Sequence, residues 1–232
     1  MMNAIPRVSV ILPITTAPQN LNRAIASVLK QNMPELELIV VATENSGYGV
    51  EEAVAGFAAT DLRVQFVRSE STDPVRASVL GLSMARAPWL AFQRDGDEWL
   101  VDRLSRQLAG AEKQGDNCYL ITGRLLQYMP VAKTHMRYWR TAADSERLDP
   151  AVEIPDFPAL LQATLIRRSA LVTTGAAFDP QGIAPENFEW IRRLIAQGCA
   201  AAIPSSVAVT YVSSGITMPN PLTQWFRDTF NR

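Results

Sequence analysis

Short apolar runs alternate with amphipathic helical patterns through the first half of the chain, and this alternation restricts the fold more than any other feature. Val8-Ser9-Val10-Ile11-Leu12 is a strand run closed by Pro13. After the turn Thr15-Thr16-Ala17-Pro18, residues Leu21, Ile25, Val28 and Leu29 mark one face of a helix. Leu36 to Val41 predicts a second buried strand, Glu51 to Ala58 a helix, and Val64 to Val67 a third strand. Asp73 is placed as an N-cap with Pro74 at the first helical position, opening a helix through Ala87. Trp89 to Phe92 predicts a fourth strand, and Leu104, Leu108 and Ala111 mark another amphipathic helix. Parallel strands need a crossover between them, and these helices supply it. The expectation is an α/β fold with a mostly parallel central sheet flanked by helices.

The second half is less regular. Cys118 to Thr122 and Arg124 to Tyr128 predict two strands, and Val131 to Phe157 is polar and interrupted by proline. Ala163 to Ile166 predicts a strand, Asn187 to Gln197 a helix ended by Gly198, and Val207 to Val212 a last strand. With no repeat and no low-complexity linker, residues 1–232 are expected to form a single domain, a parallel half at 1–113 and a smaller mixed part at 114–232. At 47% hydrophobic residues the chain can bury a sizeable core.

Charge narrows the partners. Lys and Arg total 22 against 23 Asp and Glu, a net charge of -1, so no overall field attracts nucleic acid or an acidic membrane. No apolar run reaches the roughly 18 residues that a membrane-spanning helix needs. The N-terminus lacks a charged stretch followed by a long apolar one, so the chain is expected to be soluble and cytoplasmic. Cys118 and Cys199 lie far apart in sequence and suggest buried thiols rather than a disulfide framework or a zinc site. His135 is the single histidine, which excludes His-rich metal sites.

In parallel sheets ligands collect at the carboxyl ends of the strands. The loops after Leu12, Val41 and Phe92 therefore carry the candidates: Pro13 and Thr15, Glu44, and the run Arg94-Asp95-Gly96-Asp97-Glu98. Three carboxylates within four residues repel one another unless a cation or basic groups offset them. Mg²⁺ or Mn²⁺ takes hard oxygen ligands, commonly one or two carboxylates together with substrate phosphates, so Asp95 and Asp97 suit a metal-bound nucleotide diphosphate. The same four residues also suit a solvated turn or a helix N-cap.

Several segments resemble the family-two glycosyltransferases. Val8 to Pro13, Leu21 to Gln31 and Glu37 to Val41 are similar to the opening of that family. Trp89 to Gln93 through Asp97-Glu98-Trp99-Leu100, followed by Arg103-Leu104 and Arg106-Gln107-Leu108, resemble its metal-site segment. Ile166 to Leu171, Gly175 and Phe178-Asp179 resemble the segment before its catalytic helix, and Pro185-Glu186-Asn187-Phe188 with Arg193 and Gly198 resemble that helix. The resemblance implies the GT-A fold, with a nucleotide-binding half at 1–113 and an acceptor-side half at 114–232. It implies inverting transfer of a sugar from a nucleotide-diphosphate sugar to the hydroxyl of a carbohydrate or lipid-linked acceptor, at the inner face of the membrane or free of it. A carboxylate on the late helix deprotonates the acceptor while Mg²⁺ or Mn²⁺ steadies the departing diphosphate.

The functional positions depart from the family pattern. Read without gaps, the two metal-side aspartates fall on Arg94 and Gly96, leaving Asp95 and Asp97 each displaced by one position. Arg94 is the alternative, because a fixed cation stabilises a diphosphate without a metal. After the second strand, where acidic residues hold the nucleoside, the chain has Ala42-Thr43-Glu44-Asn45, with Glu44 out of register. An Arg-Asn pair of the third helix falls on Ser78-Val79, with Arg76 nearby. The catalytic aspartate falls on Asn187, which takes no proton at neutral pH, and Glu186 beside it is the nearest base.

Lys133 to Arg140 combines basic groups with Tyr138 and Trp139, reading either as a grip on a phosphate- or sugar-bearing acceptor or as an exposed element edge. Trp225, Phe226 and Phe230 read as an amphipathic turn docking onto the domain, a protein partner or a membrane surface. Two rival functions stay open: a catalytically degenerate carbohydrate- or partner-binding subunit, and a nucleotidyl-type transferase on the same sheet edge.

Overall fold

The computed structural model describes residues 5–15, 20–94, 96–129, 134–137, 161–173, 194 and 196–211. Strand β1 (Val8–Ile14) is followed by α1 (Leu21–Leu29), β2 (Leu36–Ala42), α2 (Val50–Ala58), β3 (Val64–Arg68), α3 (Pro74–Met84) and β4 (Trp89–Phe92). Then come β5 (Glu98–Trp99), α4 (Arg103–Gln114), β6 (Cys118–Met129), β7 (Thr134–Arg137), β8 (Thr164–Arg167), a helix at Arg168–Thr173 and β9 (Cys199–Tyr211). Among the described residues the strands form one nine-stranded sheet in the order β3-β2-β1-β4-β8-β6-β9-β5, with β7 paired to β6. The pairs β3-β2, β2-β1 and β1-β4 are parallel, and β8 runs antiparallel to both β4 and β6.

The apolar runs of β1, β2 and β4 are continuous because both faces of the sheet are covered. Val8, Val10, Leu12 and Ile14 share a buried cluster with Leu21, Ile25 and Val28 of α1, Val50 and Val54 of α2, and Leu104 and Leu108 of α4. On the other face Ile11, Ile39, Val41, Leu90 and Phe92 pack with Ala77 of α3 and with Ala170 and Leu171. Gly81 lets α3 lie close against that face: a Cβ there would stand 2.7 Å from Cγ2 of Ile11.

Three boundaries differ from the sequence expectation for definable reasons. Pro13 does not close β1, which runs on to Ile14. The carbonyl of Ile11 accepts from the Gln93 N–H, toward β4, and that of Ile14 accepts from the Thr43 N–H, toward β2. By alternation Pro13 faces the β4 side beyond the end of that strand, so its missing N–H leaves no ladder bond unmade. Helix α3 stops at Met84 rather than Ala87 because the next N–H groups are taken elsewhere: Arg86 donates to Oε1 of Glu37 (2.8 Å) and Ala87 to Oγ of Ser9 (3.0 Å). Two expected strands are one, β6, which passes through Gly123 with register shifts against β9. A Cβ at Gly123 would lie 2.4 Å from Cγ1 of Val207, so the small residue that read as a break is a bulge at a close strand contact.

Glu37 shows how the amino end of the sheet tolerates a buried acid. Burial alone raises its pKa, but the Ser9 hydroxyl (2.6 Å), the Arg86 backbone N–H and the Arg86 guanidinium (2.8 Å) outweigh it and hold the carboxyl below its usual value. Cys118 is buried, as expected, and the β6–β9 register sets it opposite Cys199, a proximity that their sequence separation hides. No helix among the described residues is long and apolar enough to cross a membrane.

Candidate functional site

Strand β1 has β2 on one side and β4 on the other, both parallel to it. The strand order therefore reverses direction at β1, and the crevice outside the carboxyl ends of β1 and β4 is the place where open α/β sheets bind ligands. The structure brings Pro13 and Thr15, Glu44 and Arg94 to this one edge, at the ends of β1, β2 and β4. Phe92, the last residue of β4, is the register partner of Ile11, and Arg94 lies two residues beyond it. Arg76 is exposed on the first turn of α3, the helix that follows β3 at the same edge. Asp95, Glu186 and Asn187 lie outside the described residues, as do Tyr138, Trp139 and the C-terminal aromatics. The backbone of Thr134–Arg137 pairs with β6 as strand β7.

The loop after β2 folds back on β1. Thr43 is buried, and both its N–H (2.9 Å) and its hydroxyl (3.0 Å) donate to the carbonyl of Ile14. The Glu44 N–H donates to the Ser71 carbonyl (3.2 Å), tying the loops after β2 and β3 together while the Glu44 side chain is exposed. Gly47 and Gly49 both have positive φ, near +82° and +88°, and between them Tyr48 projects fully into solvent.

The loop after β4 is a tight, internally bonded turn. Gly96 takes φ near +94°, and the Asp97 N–H donates to the Arg94 carbonyl (3.1 Å). Nε2 of Gln93 donates to the Asp97 carbonyl (3.0 Å), and Nη2 of Arg23 on α1 donates to the Gly96 carbonyl (3.1 Å). Side chains then close a second ring. Oδ1 of Asp97 meets Nη2 of Arg94 at 3.2 Å. The Gln162 amide, with its oxygen turned toward Arg94, donates to Oδ2 of Asp97 (2.6 Å) and accepts from Nε (3.0 Å) and Nη1 (3.3 Å) of Arg94. The Asp97 side chain is 2% exposed and that of Arg94 52%.

Arg103, at the start of α4, adds a second guanidinium beneath the turn. It is fully buried, stacks 3.8 Å from the centroid of the Trp99 ring, and donates from Nε to Gln107 (3.0 Å) and from Nη2 to the Thr164 carbonyl (3.4 Å). Burial pushes its pKa down to about 9, against the opposing attraction of Asp97, so it stays charged at neutral pH.

These contacts bear on the expected metal. A divalent cation needs carboxylate oxygens turned toward it and free to coordinate. Asp97 is buried, both its oxygens accept hydrogen bonds, and two guanidiniums answer its charge. Among the described residues no group of three or more His, Cys, Asp or Glu side chains is placed to hold a metal. The described part of the turn does not fit Mg²⁺ or Mn²⁺. Arg103 stands in the segment that resembles the family's metal-site region, though without a role read there, and Gln162 is not apparent from sequence reasoning. Gln162 reaches Arg94 because β8 pairs antiparallel with β4, a contact without a local signature.

The sequence model of glycosyl transferase family 2 matches residues 9–172, from β1 through the helix after β8. The chain belongs to glycosyl transferase family 2. A glycosyltransferase of Rickettsia bellii is 24% identical over 181 residues, covering 78% of this chain and 24% of the relative. Bacillus subtilis TuaG, named for teichuronic acid biosynthesis, is 31% identical over 109 residues, covering 47% of this chain and 43% of the relative. This family 2 chain thus spans less than half the length of either. Among solved structures, S. aureus TarS residues 1–349 in complex with UDP superposes with a TM-score of 0.70 at 13% identity, covering 89% of this chain and 61% of TarS 1–349. The same protein with UDP-GlcNAc gives 0.71 at 12% identity, covering 95% and 64%. That likeness shows the GT-A fold.

Proposed function

We propose that this family 2 chain transfers a sugar from a nucleotide-diphosphate sugar to an acceptor hydroxyl with inversion. The observation that carries the reading is that Pro13 and Thr15, Glu44 and Arg94 follow the carboxyl ends of β1, β2 and β4, around the point where the strand order turns and within the segment that matches the family. The solved TarS structures hold UDP and UDP-GlcNAc, which supports a nucleotide-sugar donor and makes uridine nucleotides the first to test. TuaG is named for teichuronic acid biosynthesis, which supports a polysaccharide-type acceptor. In the proposed reaction Glu186 takes the proton of the acceptor hydroxyl. The acceptor oxygen attacks the anomeric carbon from the face opposite the diphosphate, and the bond from that carbon to the phosphate oxygen breaks, releasing nucleoside diphosphate. Asn187 cannot take that proton, which leaves it a positioning role.

The test is release of nucleoside diphosphate from UDP- and GDP-sugars in the presence of oligosaccharide and lipid-linked acceptors. Glu186→Gln is expected to lower turnover by about 10²–10⁴, and NMR of the product is expected to show the anomeric configuration opposite to that of the donor. A product with retained configuration, or no turnover of any donor, overturns the reading. One observation favours a second reading, a catalytically degenerate binding subunit: Thr43, near the position of an expected nucleoside-holding acid, is buried and bonded to Ile14. That reading predicts carbohydrate or protein binding by a folded chain that turns over no donor.

A further inference from the structure

We propose that Arg94 binds the diphosphate of the donor directly, in the place a divalent cation would occupy, so that donor binding by this chain is independent of metal. The inference rests on the nucleotide-sugar reading above. Arg94 stands two residues past the end of β4, at the carboxyl edge where β1 and β4 run side by side. Asp97 and Gln162 hold its guanidinium through three contacts at 3.0–3.3 Å, while half of the side chain remains exposed. A guanidinium has five N–H donors, so among the described residues these contacts leave two for a ligand. Holding the fork in one orientation removes much of the rotamer entropy that a flexible Arg loses on gripping a phosphate, and charge-assisted Arg–phosphate bonds are about twice as strong as neutral ones.

The surroundings point to an anion rather than a cation. Asp97 already faces Arg94 in contact and feels the buried charge of Arg103, so a metal would have to break the Arg94 pair and the Gln162 hydrogen bond to gain Asp97 as a ligand. A diphosphate breaks nothing. It meets a positive group whose counter-charge lies on the inner, buried side, and α1 supports the same turn through the Arg23–Gly96 hydrogen bond. Asp97 in this arrangement is a positioning residue for Arg94, not a metal ligand.

Calorimetric titration of the full chain with UDP, GDP and inorganic pyrophosphate, in excess EDTA and in excess Mn²⁺, tests the inference. The expected result is binding of at least one nucleoside diphosphate with a Kd that changes less than about threefold between the two conditions. Arg94→Gln is expected to weaken that binding by about tenfold or more, or about 1.4 kcal/mol, and Arg94→Lys by less. Binding that requires Mn²⁺, or an Arg94→Gln protein that folds and binds unchanged, overturns the inference and leaves the proposed function standing. Absence of binding by all three probes in both conditions overturns both. The EDTA comparison uses the unaltered chain, so it decides metal independence even if Arg94→Gln fails to fold, and Arg94→Lys, expected to weaken binding while keeping the charge, then tests the guanidinium itself.

Discussion

Asp97 reads from the sequence as half of a metal-binding pair, and in the fold its carboxylate pairs with Arg94 and accepts from Gln162. Its carboxylate is 2% exposed and stands between a half-exposed guanidinium and a buried one. Breaking a buried pair by removing one partner leaves an uncompensated charge. Asp97→Ala is therefore expected to destabilise the chain by about 3 kcal/mol, measured as a lowered urea midpoint at unchanged slope. A side chain kept only to coordinate a cation would show little loss, or a gain, on removal in EDTA. The residue types at the turn were legible from sequence, and Arg94 was identified there as a substitute cation. The partner that orients it was not, because Gln162 meets Arg94 through strand pairing and nothing near residue 162 marks that contact.

Apart from β5, the elements of the first half were legible almost residue by residue, since each is long enough to show its period. Where the ends differ, a distant group decides. Helix α3 ends early because Glu37 and Ser9, on β2 and β1, take the next two N–H groups. Strand β5 has two residues, too few to show alternation, and β7 lies within Lys133 to Arg140, where the sequence left an acceptor grip and an exposed element edge both open. The packing of α3 and α2 on the sheet gives a paired test. In Gly81→Ala the new methyl meets Ile11 at 2.7 Å, and overpacking of this kind costs about 1–3 kcal/mol. In Gly56→Ala, within α2, the methyl meets nothing within 4 Å, and the gain in helix propensity is about 0.5–1 kcal/mol. Thermal melts of the two variants are expected to move in opposite directions. A neutral Gly81→Ala would contradict the close seating of α3.

Across the molecule, a nine-stranded sheet draws on both halves of the sequence, and its order places the β1–β4 crevice beside strand β8 from the later half. The parallel half was readable because each crossover helix separates two buried strands. The pairing of β6, β8 and β9 was not, since contacts between distant strands leave no local period to read. The proposed function requires donor nucleotide in the crevice where the strand order turns. Hydrogen–deuterium exchange of the full chain, with and without saturating UDP or GDP, tests it most directly. Slowed exchange is expected in the peptides that carry Thr15, Thr43 to Ser46 and Arg94 to Asp97, with β7 and the amino ends of the strands unchanged. Protection confined to other segments, or none with either nucleotide, would contradict it.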